Sequence, residues 1–242
     1  MSATSRSALV SGVRGGLGQA LAARLLDQGV QVVGLSRNRP SAPLGDHPDF
    51  DFVSVDLSDL PRLEERLSAV LTGRRFELAI LNAGVFGKLA PLADTSIERL
   101  RAIMDLNVWA NKLLIDLLLR VAEVDQLIAI SSAAAVNGSG GWGGYAISKA
   151  ALNLLMRCFA DEHPQTHFVA VAPGIIDTPM LREILAHRPD ARYPALARVR
   201  AAQQAGQVLS PEAAARRLLD ARERLAALPS GSYADIRRLS SR

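Results

Sequence analysis

The chain has 242 residues and a formal net charge of +4; its 25 arginines are spread along the whole length and aromatics make up only 5% of it, unlike the basic, aromatic-interleaved stripe of a nucleic-acid binder. One cysteine, Cys158, excludes an intramolecular disulfide and fits a reducing cytoplasm, and its apolar setting, LLMRCF, places it in the core. The histidines at 47, 163, 167 and 187 have no metal-ligand spacing, the opening MSATSRSALVSG is too short and too polar for a signal peptide, and no apolar run approaches a membrane span.

Short apolar runs alternate with longer helical patterns. SALVSG (7–12) reads as a strand. Residues 16–28 read as a helix with Leu17, Leu21, Leu25 and Leu26 on one face. Strands follow at 30–36 and 50–56, then a helix at 60–71 capped by Ser58 or Asp59. FELAILNAG (76–84) is a fourth strand. A long helix covers 96–121, with a point of possible breakage at Asn107. A strand at 124–132, a helix at 144–162 and a strand at 166–174 come next. Helical patterns return at 179–206 and 211–227, and SGSYADI (230–236) suits a last short strand. This alternation predicts an α/β fold, a doubly wound parallel sheet with helices on both faces. The Pro-rich loop 37–49 connects elements within a domain, so residues 1–242 read as one domain.

SGVRGGLG (11–18) joins the first strand to the first helix. Gly12, Gly16 and Gly18 allow a tight turn and let a pyrophosphate approach the helix N-terminus. The second strand ends in Ser36, Arg37 and Asn38, where an NAD site offers a carboxylate to the ribose 2′-hydroxyl. Guanidinium there attracts a 2′-phosphate, and Arg14 in the glycine loop is within reach of the same group, so NADP(H) is favoured over NAD(H). Asp56 and Leu57 end the third strand. Asn82, Ala83 and Gly84 end the fourth. A carboxylate at 56 suits the adenine amino group, and the Ala–Gly pair suits a ribose lying against the backbone.

GGYAISKAAL (143–152) sets Tyr145 and Lys149 one turn apart on one helix face. A free phenol titrates near 10, and a neighbouring ammonium lowers that value, so Tyr145 is a candidate proton donor to a carbonyl oxygen. Lys149 is also placed to bond the nicotinamide ribose. Ser132, at the end of the fifth strand, offers a hydroxyl to the substrate oxygen. Asn107 is a weak helix former in mid-helix, placed to bend the helix and to hold a water linked to Lys149.

Taken together, SGVRGGLG, DL (56–57), LNAG (81–84), Asn107, ISS (130–132), YAISK (145–149) and PGIIDT (173–178) resemble the short-chain dehydrogenase/reductase family over nearly the whole chain. The resemblance implies a seven-stranded parallel sheet and a tetrad of Asn107, Ser132, Tyr145 and Lys149. It implies cofactor contacts from Gly12, Gly16, Leu17, Gly18, Asp56, Leu57, Asn82, Pro173, Gly174, Ile176 and Thr178, and a homodimer or homotetramer, with Ala146, Ala150 and Leu154 on an outward helix face suited to a partner subunit. Two departures are Ser11 for threonine and Leu81 for the first asparagine of NNAG.

GWGGY (141–145), residues 159–180 and LPSGSYADI (228–236) are similar to sepiapterin reductases and bacterial benzil reductases. In that branch Ser230, Gly231 and Asp235 match SGxxxD, whose aspartate anchors a pterin; here Asp235 either does that or ends a strand. Trp142 is expected to line the substrate cleft and to suit a flat or aromatic ketone. Residues 179–206 are expected to cover the site, with Met180, Leu181 and Leu185 supplying apolar contacts and Arg182 or Arg188 meeting a polar group. The resulting expectation is an NADPH-dependent carbonyl reductase acting on an aromatic ketone or vicinal dicarbonyl. An NAD-linked secondary alcohol dehydrogenase and a non-catalytic NADP sensor stay open as alternatives.

Overall fold

The computed structural model describes residues 6–188 and 190–239, so both ends of the expected 1–242 domain and one position of the covering segment lie outside it. The strands are β1 (Ser7–Ser11), β2 (Gln31–Ser36), β3 (Phe50–Ser54), β4 (Arg75–Phe76), β5 (Leu78–Leu81), β6 (Glu123–Val124), β7 (Gln126–Ile130), β8 (His167–Ala172) and β9 (Ser232–Asp235). The α-helices are α1 (Gly16–Asp27), α2 (Leu63–Leu71), α3 (Ile97–Met104), α4 (Ala110–Val121), α5 (Ala134–Asn137), α6 (Gly143–Glu162), α7 (Pro179–Ala186), α8 (Pro194–Gln204), α9 (Pro211–Asp220) and α10 (Arg222–Ala226). Seven strands form one sheet in the order β3-β2-β1-β5-β7-β8-β9, every pair parallel. Strands β4 and β6 pair beside it, also parallel.

Period-two alternation sorts the strands' apolar side chains onto two faces. Ala8, Val10, Ile128, Ile130, Val169 and Val171 join α1, α9 and α10 on one side. Leu9, Leu127, Ala129, Phe168 and Ala170 join α2, α4 and α6 on the other. Both faces are covered, which is why the strands read as continuous apolar runs. Burying each such Leu or Val contributes about 1.5–3 kcal/mol. The strand order reverses at β1, with β2 on one flank and β5 on the other. The crevice outside the carboxyl ends of β1 and β5 is where a doubly wound sheet takes its ligand.

Several expectations need correction. Neither Ser58 nor Asp59 caps the helix after β3. A 3-10 turn, Leu60–Arg62, precedes α2, and the Ser58 hydroxyl is spent on Asp56 at 2.6 Å. The 179–206 pattern is two helices, with Pro194 opening the second. The 211–227 pattern turns at Ala221, where Arg222 reaches the amino edge of the sheet and donates to the Glu77 carbonyl at 2.7 Å. The short α5 was not foreseen. Cys158 is exposed, because the inward face of α6 is carried by Leu152, Met156 and Phe159 and Cys158 lies off it. Ala146 is buried rather than outward; Ala150 and Leu154 are exposed as expected, and so is Ile147.

The long helix does break at Asn107. Asp105–Trp109 forms a π-turn between α3 and α4. Such one-residue widenings concentrate at functional sites.

Candidate active site

The crevice begins with Ser11. Its hydroxyl is fully buried and accepts from the backbone N–H groups of Asn82 at 2.9 Å and Ala83 at 3.0 Å. Asn82 Nδ2 donates back to the Ser11 carbonyl at 3.0 Å. These bonds stitch the ends of β1 and β5, so serine does at position 11 what the departure from threonine left open. Leu81 is core, and a polar group is not needed there.

Two glycines form the cradle. Gly12 has φ +77°, and a Cβ on it would sit 2.8 Å from Asn82 Nδ2. A Cβ on Gly18 would meet the Gly12 carbonyl oxygen at 2.3 Å, which no side chain survives. Loop and helix therefore approach backbone to backbone, and the first turn of α1 carries no acidic residue. Its free N–H groups and positive dipole end favour an anion. Thr178 stands against Gly16, its methyl 3.2 Å from a would-be Cβ there, and its hydroxyl accepts from Leu181 N at 3.3 Å to cap α7. That contact joins the 173–178 loop to the glycine loop, with Pro173 and Ile176 buried; Leu17 is core on one face of the sheet and Leu57 on the other.

At the far end, β2 and β3 deliver Arg37 and Asp56 to a cavity of about 390 Å³, lined also by Ser54, Val55, Asp59, Arg62 and Arg66. Ser58 donates twice to Asp56 Oδ1, and these bonds, with Arg37 nearby, hold its pKa below the usual carboxylate value. Asn38 fixes the turn, its carbonyl accepting from Ser36 Oγ at 2.7 Å. Arg14 is exposed on the glycine loop. Sequence reasoning missed Arg62 and Arg66, which α2 and the turn before it bring in from a separate stretch of chain.

The reacting groups gather at the other end. Lys149 is 4% exposed, and its ammonium donates to the Ile130 carbonyl at 2.7 Å. Burial pulls its pKa down from 10.5 to about 8. Burial pushes the Tyr145 phenol up, and a hydrogen bond with the Ser132 side chain opposes that shift. The expected lowering of the phenol by the ammonium is not borne out: Lys149 Nζ stands 5.8 Å from the centre of the Tyr145 ring and is directed to Ile130. Ser132 Oγ also accepts from Ala134 N at 3.1 Å, so α5 orients this hydroxyl. Asn107 is fully buried. Its side chain grips the Val85 backbone through both N–H and C=O at 2.8 Å and donates to Ser148 Oγ at 2.9 Å. Its own carbonyl accepts from Asn111 Nδ2 at 2.8 Å. Asn107 thus ties the segment after Gly84 to α6; a Cβ on Gly84 would lie 3.0 Å from Asn107 Oδ1 and 3.4 Å from Lys149 Nζ.

Over these groups lies an apolar cluster of Phe86, Leu89, Ile184, Tyr193 and Leu196, with Trp142, Tyr145 and Met180 packed against it. Phe86 stands edge-on to Trp142 at 4.8 Å and tilted to Tyr145 at 5.4 Å. The covering helices α7 and α8 supply Met180, Ile184 and Leu196. Phe86 and Tyr193 were not foreseen: Phe86 is in a loop, and Tyr193 falls where the 179–206 pattern breaks just before Pro194. Arg182 is engaged by Asp177, and both Asp235 oxygens accept from Arg237.

Residues 6–189 match the short chain dehydrogenase family. The chain belongs to that family. It is 30% identical over 240 residues to a benzil reductase of Bacillus cereus that forms (S)-benzoin, covering 90% of this chain and 95% of that protein. A crystal structure of a short-chain dehydrogenase/reductase from Saccharomyces cerevisiae superposes with TM-score 0.81 at 24% identity, covering 96% of each chain. One from Burkholderia multivorans with bound NADP has TM-score 0.75 at 26% identity, covering 96% of this chain and 97% of that one. This short-chain dehydrogenase is an oxidoreductase of carbonyl and hydroxyl groups using a nicotinamide cofactor. The side-chain-free cradle at Gly12 and Gly18 fits a dinucleotide, which when bound supplies or accepts the hydride.

Proposed function

We propose that this short-chain dehydrogenase is an NADPH-dependent carbonyl reductase that acts on an aromatic ketone or vicinal dicarbonyl in the cytoplasm. The observation that carries the reading is the Ser132–Tyr145–Lys149 group beneath an aromatic wall of Phe86, Trp142 and Tyr193. Likeness to a benzil reductase points the same way. Ser132 holds the substrate oxygen beside Tyr145. As hydride reaches the carbonyl carbon the C=O π bond breaks, and the oxygen takes the phenol proton. Lys149 steadies the phenolate left behind and bonds the nicotinamide ribose. Asn107 keeps the Val85 segment and α6 in register. Gly12, Gly16, Leu17, Gly18, Asp56, Leu57, Asn82, Ala83, Gly84, Pro173, Gly174, Ile176 and Thr178 receive the dinucleotide. Incubating the protein with NADPH and benzil should consume NADPH, followed by loss of its absorbance; no consumption across a panel of aromatic diketones and ketones would end this reading.

The preference for NADPH rests on Arg37, with Arg14 and Asn38 beside it and Arg62 and Arg66 across the cavity. Arg37, Arg62 and Arg66 outnumber the carboxylates there, Asp56 and Asp59, which leaves net guanidinium charge for a 2′-phosphate. Arg37→Ala should weaken NADPH by about 1.5–3 kcal/mol, roughly ten- to a hundredfold in Kd, and leave NADH nearly unchanged. Fluorescence titration with each nucleotide checks this. Equal losses for both would remove Arg37 from the 2′-phosphate site.

For assembly, Ile147 and Leu154 on α6 and Trp109 beside α4 are large, exposed and apolar. They support a homodimer or homotetramer, which sedimentation velocity would distinguish from a monomer.

A further inference from the structure

Among the described residues, five buried side-chain polar atoms have no hydrogen-bond partner. Gln126 and His167 stand at the amino ends of β7 and β8, away from the crevice; Arg24 is in α1 and Tyr233 in β9. The fifth, Trp142 Nε1, lies in the aromatic cluster over the reacting groups. Its ring centre is 6.4 Å from that of Tyr145, and no member of the cluster around it, the Tyr145 and Tyr193 hydroxyls included, accepts from it. A buried N–H without an acceptor is unfavourable, and native structures keep few of them. Where one persists beside a reacting group, a ligand acceptor is the natural complement.

Resting on the reductase reading above, we infer that Trp142 is a specificity-determining residue whose indole N–H donates to the second oxygen of a vicinal dicarbonyl while Tyr145 serves the first. Adjacent carbonyl oxygens are a few ångström apart, so two donors held on neighbouring rings suit one diketone. Trp142 sits at the N-terminal boundary of α6, three residues before Tyr145, and the helix therefore fixes the spacing of the two donors. Tyr193 and Leu89 close on the adjoining Gly141, whose would-be Cβ lies 2.6 Å from the Tyr193 ring and 2.8 Å from Leu89 Cδ1. Substrate enters between the indole and the covering helices, and its oxygen replaces an apolar neighbour. A ketone lacking the second oxygen leaves the N–H unpaired, and sites built around a polar group discriminate strongly against such analogues.

The test compares benzil with deoxybenzoin, which has the same two rings and one carbonyl fewer, using the full chain and NADPH. Trp142→Phe should lower kcat/KM for benzil about tenfold more than that for deoxybenzoin, the worth of one hydrogen bond. The thermal midpoint of the free variant should hold or rise, since the unpaired donor is gone. Trp142→His, which restores a ring N–H, should recover part of the benzil preference. Equal losses on both ketones would mean a packing role and overturn the inference, as would no loss on benzil. Failure of the unmutated protein to oxidise NADPH with either ketone is a separate result; it overturns the reductase reading and this inference with it.

Discussion

Tyr145→Phe is expected to lower turnover of a ketone by about 10²–10⁴-fold, the contribution of one placed general acid, with the affinity for the nucleotide nearly unchanged. The phenol is pushed above its ordinary value by burial, so at neutral pH it carries the proton that the reaction needs. Ser132 bonds that same hydroxyl and cannot replace it, because an aliphatic hydroxyl is a far weaker acid. Phenylalanine keeps the ring contacts with Phe86 at 5.4 Å and Trp142 at 6.4 Å, so the wall and the fold survive. The cradle around Gly12 and Gly18 is built from other segments. Nucleotide titration and single-turnover absorbance separate the two effects. Turnover at the normal rate in this variant would remove the phenol from its role.

Lys149→Met should abolish most turnover and yet raise stability at neutral pH. An ammonium that is 4% exposed and whose pKa has dropped to about 8 destabilises the fold while charged. The unfolded chain binds this proton up to about 10.5 and the folded chain only up to about 8. Between those values the unfolded state holds more protons, so folding stability rises with pH across the window. Below about pH 8 the penalty is at its full size, roughly 3 kcal/mol. Methionine removes the charge and fills similar space, at the loss of one bond to the Ile130 carbonyl, about 1 kcal/mol. Chemical denaturation at pH 7 and at pH 10 should show a variant more stable than the parent at the lower value and the gap narrowing at the higher. In the parent, ketone reduction should decline as pH passes about 8, when the ammonium that steadies the phenolate loses its charge. A variant less stable at pH 7 would contradict the burial argument.

The strand–helix alternation was legible because both sheet faces are covered and periodic apolar runs report that directly. The strand-end residues Asp56 and Asn82 were legible for a related reason: polar side chains that follow a buried run mark where the chain leaves the sheet. Asn107 announced the break in its helix through poor helix propensity. What it does with its side chain was hidden, since Val85 and Ser148 are 22 and 41 residues away in the chain. Phe86 escaped notice because a loop aromatic shows no period, and Tyr193 because it stands at the start of the second covering helix and meets the cluster only when that helix folds over. The carboxylate at Asp235 invited a ligand role; what the motif could not show is that Arg237, two residues on, pairs with it.

The π-turn at Asp105–Trp109 amounts to one surplus residue in an otherwise regular rod. Excising one residue before Asn107 would let the hydrogen-bond ladder run straight and would yield a tidier, more readily propagated helix. It would also rotate position 107 by roughly 100° about the axis, carrying its amide away from Val85 and Ser148. A shortened chain of this kind should perform its chemistry badly, so smoothing this irregularity would run against the purpose the irregularity serves.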